Sequence, residues 1–461
     1  MKEIFWRFDW LSLIIISFFT RIIPFFLHGS HPLGYDMGFY RHYSAQSFSS
    51  FPNTPTTGLA STDFFPRLLL DSLRIFISNP DIIIHLGLII AFLFATLGFR
   101  FFLSQYAGRE VAFLGGLLFI FSPVQYVGYW FFLLKNYVAL AGLFFSFAFL
   151  KDIEDKKDLY SKLFFIASFF FVLLSQTTTS ILGVMVFCIY FSFQITRGRA
   201  ITKTFFLLFS SLSLGLLFFF RPTLFTKIIT FQPTAIFLEW PEYLSLAYPS
   251  IFLFFSGFFY FHKKVFFQYF LPTIFLFVVL LLSLLELPFY QRLFLFLDIS
   301  ILFFDAVILI FFIRNYSFFS KRLQIGTIFV AAIFTGFFLG KFLSTIAFYH
   351  PLITPNETVE MQKNNSLTEK EATILTTSDY MPFVYGFSSR NVFAPGLREY
   401  KYNLEDWEKF WFEMTKKEKI QFLSVFPRPL YFFTDPKSDE NFLEAECVVK
   451  KSQYLSEFGC K

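Results

Sequence analysis

The chain has 461 residues, of which 55% are hydrophobic and only 16% are charged. Soluble domains carry about 25% charged residues, so this composition excludes a soluble protein and predicts a polytopic membrane protein. The formal net charge is +6, but the basic residues lie in short loops between apolar runs rather than on one folded surface. That distribution excludes nucleic acid as a partner.

Apolar runs that are long enough, or almost long enough, to cross a bilayer fill the first 347 residues. In chain order they cover residues 10 to 27, 81 to 103, 111 to 127, 130 to 150, 162 to 177, 179 to 195, 204 to 221, 249 to 261, 265 to 285, 292 to 313 and 323 to 347. We therefore predict about eleven transmembrane helices. The first run is followed by bulky residues instead of a small-residue cleavage site, which predicts a retained signal anchor.

The positions of Lys and Arg between these runs predict the orientation in the membrane. If the spans alternate, one side of the membrane receives Lys2, Arg7, Arg109, Lys151, Lys156, Lys157, Arg197, Arg199, Lys203, Lys263, Lys264, Arg314, Lys321 and Arg322. Cytoplasmic loops are enriched in basic residues, so the N-terminus is predicted in the cytoplasm and the C-terminus outside the plasma membrane. The outer side then carries residues 28 to 80, 222 to 248, the turn ELPFYQR and the tail from His350.

The cytoplasmic loops contain no glycine-rich loop that could hold phosphates, which excludes an ATP or nucleotide-sugar site on that side. Function is therefore expected on the outer side. Among the cysteines, Cys188 lies inside an apolar run, and only Cys447 and Cys460 could pair.

The composition changes at Pro351. Residues 354 to 372 are polar and typical of a linker, ATILTTSDY and PLYFFTD predict strands, and LEDWEKFWFEM and KKEKIQFLSVF predict helices. The predicted fold class is an all-α polytopic membrane protein with a small exported C-terminal α/β domain. The predicted parts are a transmembrane domain (1 to 347), a linker (348 to 372) and the exported domain (373 to 461).

The segment HPLGYDMGFYRHY, residues 31 to 43, places polar and aromatic side chains directly after the first apolar run. If it is a short interfacial helix, Asp36 and Tyr40 lie on one helix face and become candidate functional residues. The alternative is that Asp36 caps a helix or lies in a solvated loop among interfacial tyrosines.

Further candidates lie near the outer ends of spans. Arg292 could hold a lipid phosphate, because a guanidinium offers several donors and keeps its charge; alternatively it snorkels or pairs with Glu286. Lys135 is similarly placed near the outer surface. Asp63 either caps the amphipathic piece that follows it or is a second acid of the same cleft.

Two other outer segments contain polar residues. The hydroxyls of SQTTTS, residues 175 to 180, could satisfy backbone groups at a tight turn. Glu239 and Glu242 of LEWPEYL are candidates for contact with an acceptor.

A lipid-linked sugar flippase or transporter is the alternative function, because it also needs many spans and buried polar residues. Asp298 and Asp305 lie seven residues apart inside the tenth span and on similar faces. A proton or cation path through them favours the transporter, whereas the other charged candidates cluster at the outer ends of spans.

Several stretches resemble the GT-C superfamily of polytopic glycosyltransferases, which includes oligosaccharyltransferase catalytic subunits, protein O-mannosyltransferases and aminoarabinose transferases. They are GYDMGFY, AGREVAFLGGLLFIFSPVQYVGYWFFLLKNYVALAG and LPFYQRLFLFLDISILFFDA. SDYMPFVYGFSSRNVFAPG, residues 378 to 396, is similar to the start of the exported domain in several of these enzymes. The resemblance covers most of the chain as architecture.

The resemblance implies transfer of a sugar from a polyprenyl-phosphate donor to an acceptor glycan, lipid or protein at the outer face. It implies that Asp36 is the general base or a metal-positioning acid, and that Arg292 stabilises the lipid phosphate as leaving group. The remaining substrate-binding candidates are Tyr40, Asp63, Lys135, Gln176, Glu239 and Glu286.

Two positions depart from the relatives. VQYVGYW lacks the acid pair with which oligosaccharyltransferases help to hold a divalent cation, so a requirement for Mg²⁺ or Mn²⁺ stays open. Gln176 stands where relatives often have His, which leaves the acceptor or phosphate contact at this turn open.

Overall fold

The computed structural model describes residues 9–29, 34–45, 63–156, 159–196, 215, 237–261, 268–286, 290–316, 321–348, 350–388, 390–395, 400–435 and 447–459. By its internal contacts the chain forms two compact units. Unit 1 comprises Met1–Pro24, Thr62–Pro66 and Gly87–Tyr349, and unit 2 comprises Phe25–Ser61, Arg67–Leu86 and His350–Lys461. The domain borders at 347 and 372 stay predictions.

The described part of the chain up to residue 348 is almost entirely helical. The helices are α1 (Asp9–His28), α2 (Met37–Ala45), α3 (Phe64–Arg74), α4 (Pro80–Ala107), α5 (Arg109–Phe121), α6 (Pro123–Trp130), α7 (Leu134–Lys156), α8 (Leu159–Leu173), α9 (Thr177–Thr196), α10 (Trp240–Phe261), α11 (Phe270–Leu284), α12 (Tyr290–Asn315) and α13 (Lys321–Phe348). Ten of the eleven predicted apolar runs coincide with these helices. The remaining run, 204 to 221, lies outside the described residues.

Six of the described helices are long and apolar enough to cross a membrane: α1, α4, α7, α9, α12 and α13. A seventh span results if α5 and α6, which meet at a bend of 50°, count as one. The helices α8 and α11 are apolar but shorter, with 15 residues each. The chain is thus a multi-pass membrane protein, whereas the predicted number of eleven spans is not confirmed.

Helix α12 is the central helix of unit 1. Every residue from Leu293 to Leu309 is buried, which requires neighbours on all sides because the helix is apolar around its whole circumference. Helices α5, α10 and α11 pack against it. Gly257 allows α10 to lie close to α12, since a Cβ at this position would overlap the side chain of Ile308.

One buried charge of unit 1 is paired across two helices. Asp9 of α1 is fully buried, and its carboxylate accepts hydrogen bonds from Arg100 of α4, with Nε at 3.1 Å and Nη2 at 2.5 Å. A bidentate ion pair of this kind offsets part of the free-energy cost of removing the carboxylate from water.

Asp298 stabilises the break between α5 and α6. Its Oδ2 accepts hydrogen bonds from the Ser122 hydroxyl and from Nε2 of Gln125, both at 2.8 Å. Ser122 is also the N-cap of α6, where its side chain accepts from the Gln125 backbone N–H. The carboxylate therefore lies at the N-terminus of α6, where a negative charge is favourable.

Unit 2 contains a five-stranded sheet in the order β2-β1-β3-β5-β4. Its described elements are α14 (Pro355–Leu367), β1 (Thr373–Thr376), α15 (Met381–Phe387), β2 (Asn391–Phe393), α16 (Leu404–Phe412), α17 (Lys416–Leu423), β3 (Leu430–Phe433), β4 (Val448–Lys450) and β5 (Leu455–Phe458). Strand β1 is parallel to β2 and β3, and β5 is antiparallel to β3 and β4. Both predicted strands and both predicted helices are present, and α14 lies within the predicted linker.

Strands β1 and β3 are buried along their whole length, so both faces of the sheet are covered at these strands. One face includes Ile374 and Phe433 and is covered by α2, α14 and α15. The other face includes Leu375 and Phe432 and is covered by α16 and α17. Capping boxes begin α14, α16 and α17, at Thr354, Asn403 and Thr415.

Helix α2 docks on α15 through a close backbone contact. A Cβ at Gly38 would overlap the backbone carbonyl of Pro382, and a Cβ at Gly386 would lie 2.6 Å from the carbonyl oxygen of Gly38. Arg41 reinforces the contact, because its Nη1 donates to the Gly386 carbonyl at 2.7 Å and its Nε to Asp81 at 2.8 Å. The segment after the first span is thereby fixed to the C-terminal sheet.

We predict that Gly38→Ala destabilises the protein by about 1–3 kcal/mol, because the new methyl group overlaps backbone atoms that cannot rotate away. Thermal unfolding of the purified protein in nanodiscs should show a lower transition temperature. Gly336→Ala in α13 is the control, since a Cβ there meets nothing within 4 Å. An unchanged transition for Gly38→Ala would contradict the docking described above.

We also predict that Asp298→Leu destabilises unit 1 by about 2–4 kcal/mol, because Ser122 and Gln125 would each keep a buried donor without an acceptor. Asp298→Asn should cost less, since both hydrogen bonds end on one oxygen, which an amide retains. Comparing the two variants by thermal unfolding separates the contribution of the two hydrogen bonds to Asp298 from the contribution of its charge. Equal losses of stability in both variants would contradict a stabilising role of these hydrogen bonds.

Candidate functional site

Asp36 is the residue directly before α2 and is half-buried. Its carbonyl accepts the backbone N–H of Tyr40 at 3.4 Å, so the two residues belong to one helical turn. Tyr40 is almost fully buried, with 1% of its surface exposed. The structure thus places both candidates of this segment side by side in unit 2.

The neighbour of Asp36 connects this turn to the segment after β1. The hydroxyl of Tyr35 donates to the carbonyl of Ser378 at 2.8 Å. Burial raises the pKa of the Tyr35 phenol, and the negative charges of Asp36 and Asp379 raise it further. Asp379, which was not among the residues selected from sequence, therefore belongs to the electrostatic surroundings of Tyr35, the residue next to Asp36.

A cavity of about 490 Å³ lies beside Tyr35. It is lined by Tyr35, Leu352, Ile353, Thr377, Asp379, Tyr380 and Asp435. Three of these residues follow the carboxyl end of β1, and Asp435 follows the carboxyl end of β3. The sequence signal was present, because both acids stand at the carboxyl ends of segments predicted as strands, but the pairing of those strands was not known.

Tyr380 is held in this cavity by a carboxylate. Its hydroxyl donates a hydrogen bond to Glu357 of α14. Burial raises the pKa of the Tyr380 phenol first, and Glu357 and Asp435 raise it further. The phenol is therefore a fixed, neutral group at neutral pH.

In unit 1, two of the predicted residues form an ion pair. Lys135 donates from Nζ to Oδ2 of Asp63 at 3.3 Å, and Asp63 is almost fully buried with 2% exposure. Asp63 precedes α3, and Lys135 lies in the first turn of α7. Sequence separation alone gave no reason to pair them.

Gln176 has a local structural contact. Its Oε1 accepts the backbone N–H of Thr179 at 2.6 Å and the Thr179 hydroxyl at 2.7 Å, which caps the start of α9. The residue is buried. A contact of Gln176 with a substrate stays a prediction.

The three remaining candidates lie at helix ends of unit 1. Arg292 is half-buried in the first turn of α12, and Glu286 is exposed just after α11 with a positive φ of 47°. Glu239 is exposed directly before α10, and its backbone N–H donates to the Glu242 carboxylate at 3.1 Å. Their roles toward a substrate stay predictions.

A divalent cation would need several donor side chains close together. Within the described ranges, no group of three or more His, Cys, Asp or Glu side chains is close enough to hold a metal ion. The described donors therefore do not fit a divalent cation.

No protein-family model matches the chain, and no curated protein matches it. Solved structures do match. The apo oligosaccharyltransferase of Archaeoglobus fulgidus has a TM-score of 0.71 at 11% identity, covering 93% of this chain and 70% of its own. The same enzyme with an inhibitory peptide and a dolichol-phosphate gives 0.67 at 11% identity, covering 94% and 70%.

A second protein is similar over nearly its whole length. ArnT from Cupriavidus metallidurans, bound to undecaprenyl phosphate, has a TM-score of 0.64 at 11% identity, covering 97% of this chain and 96% of its own. At such low sequence identity the structural similarity establishes the fold only, and the chemistry has to be argued from the residues of the site. The chain therefore has the fold of the GT-C polytopic membrane glycosyltransferases.

Proposed function

We propose that this protein is a glycosyltransferase that moves a sugar from a polyprenyl-phosphate donor to an acceptor at the outer face of the plasma membrane. The observation that supports this most is the fold, which is shared over more than nine-tenths of the chain. Two of the similar structures contain a polyprenyl-type phosphate, a dolichol-phosphate and undecaprenyl phosphate. A lipid-linked donor also agrees with the absence of a phosphate-binding glycine loop from the sequence.

In the proposed mechanism Asp36 is the general base. A carboxylate half-exposed at the start of a helix can accept the proton of an acceptor hydroxyl or amine while that atom attacks the anomeric carbon. The bond from this carbon to the lipid phosphate oxygen breaks, and the polyprenyl phosphate leaves. Arg292 stabilises the charge that develops on the leaving phosphate, because its guanidinium donates several hydrogen bonds and stays protonated.

The other candidates are assigned supporting roles in this proposal. Lys135, neutralised by Asp63 in the apo protein, supplies a second cation when the donor phosphate approaches. Tyr40, Gln176, Glu239 and Glu286 are proposed contacts to the sugar or the acceptor. A divalent cation, Mg²⁺ or Mn²⁺, is tested directly by adding each metal or a chelator to the assay.

The proposed orientation places the C-terminal sheet outside the cell. Cys447, next to β4, is disulfide-bonded. Disulfide bonds persist in oxidising compartments, which supports an outer location for the C-terminal residues. Cys460, the predicted partner, lies outside the described residues.

One observation favours the alternative, a lipid-linked sugar flippase or transporter. Asp305 is fully buried inside α12, next to Ser250 of α10. Ionisable groups within a span often mark a path for ions or protons. Asp298, the second acid of the predicted path, already accepts hydrogen bonds from the side chains of Ser122 and Gln125 at the start of α6, which weakens this alternative.

We predict that Asp36→Asn and Arg292→Ala each lower sugar transfer at least about 100-fold in proteoliposomes supplied with labelled polyprenyl-phosphate sugars. The amide of Asn cannot accept the proton, and Ala removes the donors to the phosphate. Glu371→Gln and Lys321→Gln remove exposed charges elsewhere in the two units and should transfer sugar at the wild-type rate.

Wild-type protein that moves the labelled lipid across the bilayer without transferring the sugar would contradict the proposal. Loss of that movement in Asp305→Asn would then support the transporter.

A further inference from the structure

The cavity beside Tyr35 lies at a distinctive point of the sheet topology. Strand β1 is parallel to both of its neighbours, β2 and β3. From β1 the chain continues to β2 on one side of β1, whereas β3 and the strands that follow it lie on the other side. In open α/β sheets, ligands bind in the crevice outside the carboxyl ends of two such strands. Asp379 follows β1 and Asp435 follows β3, so the cavity occupies this crevice.

The walls of the cavity are rich in hydrogen-bond acceptors. Asp379 and Asp435 offer carboxylate oxygens that only accept. The hydroxyls of Tyr35 and Tyr380 already donate to Ser378 and Glu357, so they too are left with acceptor capacity toward the cavity. Among the described residues that line it, none is a Lys or Arg.

This chemistry selects ligands by charge. The two carboxylates repel an anion and attract a group that donates hydrogen bonds, most strongly an ammonium group. The tyrosine rings and the apolar Leu352 and Ile353 provide surfaces for the faces of a sugar ring. The volume of about 490 Å³ lies within the common range of small-molecule sites and suits a short oligosaccharide.

We propose that this cavity binds the acceptor and that the acceptor is a carbohydrate without negative charge, preferably one that bears an amino group. The identification of the ligand as the acceptor rests on the proposed transferase function. The binding itself does not depend on it. Asp379 and Asp435 determine the specificity, while Tyr35 connects the cavity to the neighbouring Asp36.

The test is a binding measurement on the full chain in nanodiscs without any sugar donor. Three trisaccharides serve as probes, a cationic glucosamine trimer, its neutral N-acetylated form and an anionic galacturonate trimer, with affinities from isothermal titration or saturation-transfer NMR. The cationic trimer should bind most tightly, the neutral trimer more weakly, and the anionic trimer not measurably.

Variants assign the binding to the cavity. Asp435→Asn and Asp379→Asn should each weaken the cationic trimer about tenfold or more, because each removes one charge-assisted hydrogen bond. Glu371→Gln, an exposed acid of the same unit that does not line the cavity, should leave the affinity unchanged. Asp379 is exposed, so its amide variant is expected to fold even if the variant of the half-buried Asp435 does not.

The inference is overturned if the anionic trimer binds as tightly as the cationic one, if none of the trimers binds, or if both amide variants bind like the wild type. Failure of the proposed function is a separate result. Sugar transfer could be absent while the glucosamine trimer still binds and depends on Asp379 and Asp435, which would leave a carbohydrate-binding cavity in a protein of another activity.

Discussion

The contact of Gly38 with Gly386 is the constraint on which the arrangement of unit 2 depends. Two helices far apart in the sequence approach at the level of their backbones, where any side chain would overlap the partner. Arg41 adds directed hydrogen bonds to the Gly386 carbonyl and to Asp81. Because α2 cannot move without breaking these contacts, Asp36 at its start has a defined position relative to the C-terminal sheet.

A second constraint applies to the polar groups in unit 1. They have to form hydrogen bonds within the protein, because the hydrocarbon region of a membrane offers no water to an unpaired backbone or side-chain group. At the break between α5 and α6, the Ser122 side chain accepts the backbone N–H of Gln125, and Asp298 in turn accepts hydrogen bonds from the side chains of Ser122 and Gln125. Asp298, one of the two acids that suggested an ion path from sequence, thus has a structural role at this break. The same reasoning applies to Asp9, whose carboxylate is matched by Arg100.

The helices and strands that depend on local composition could be predicted from the sequence. Ten of eleven apolar runs became helices, and the strands and helices after residue 372 were found where their patterns predicted them. The sequence did not predict what depends on tertiary pairing. The ion pair between Asp63 and Lys135 joins residues 72 positions apart, and the cavity between the ends of β1 and β3 exists only because these strands are neighbours. The helix α2 could be foreseen, but not its place on the C-terminal sheet.

Local sequence and tertiary pairing both determine the position of Tyr35. Its side chain lines the cavity and is held by the carbonyl of Ser378, while the next residue in the chain is the proposed base. A carbohydrate bound against Tyr35 would therefore contact the residue that precedes Asp36 in the chain. The acidic walls favour acceptors that arrive with protons to donate, and in the proposed mechanism Asp36 removes one of them. In this proposal Asp379 and Asp435 determine the preference for the acceptor and Asp36 activates its nucleophile, while Gly38 and Arg41 anchor the helix that begins directly after Asp36.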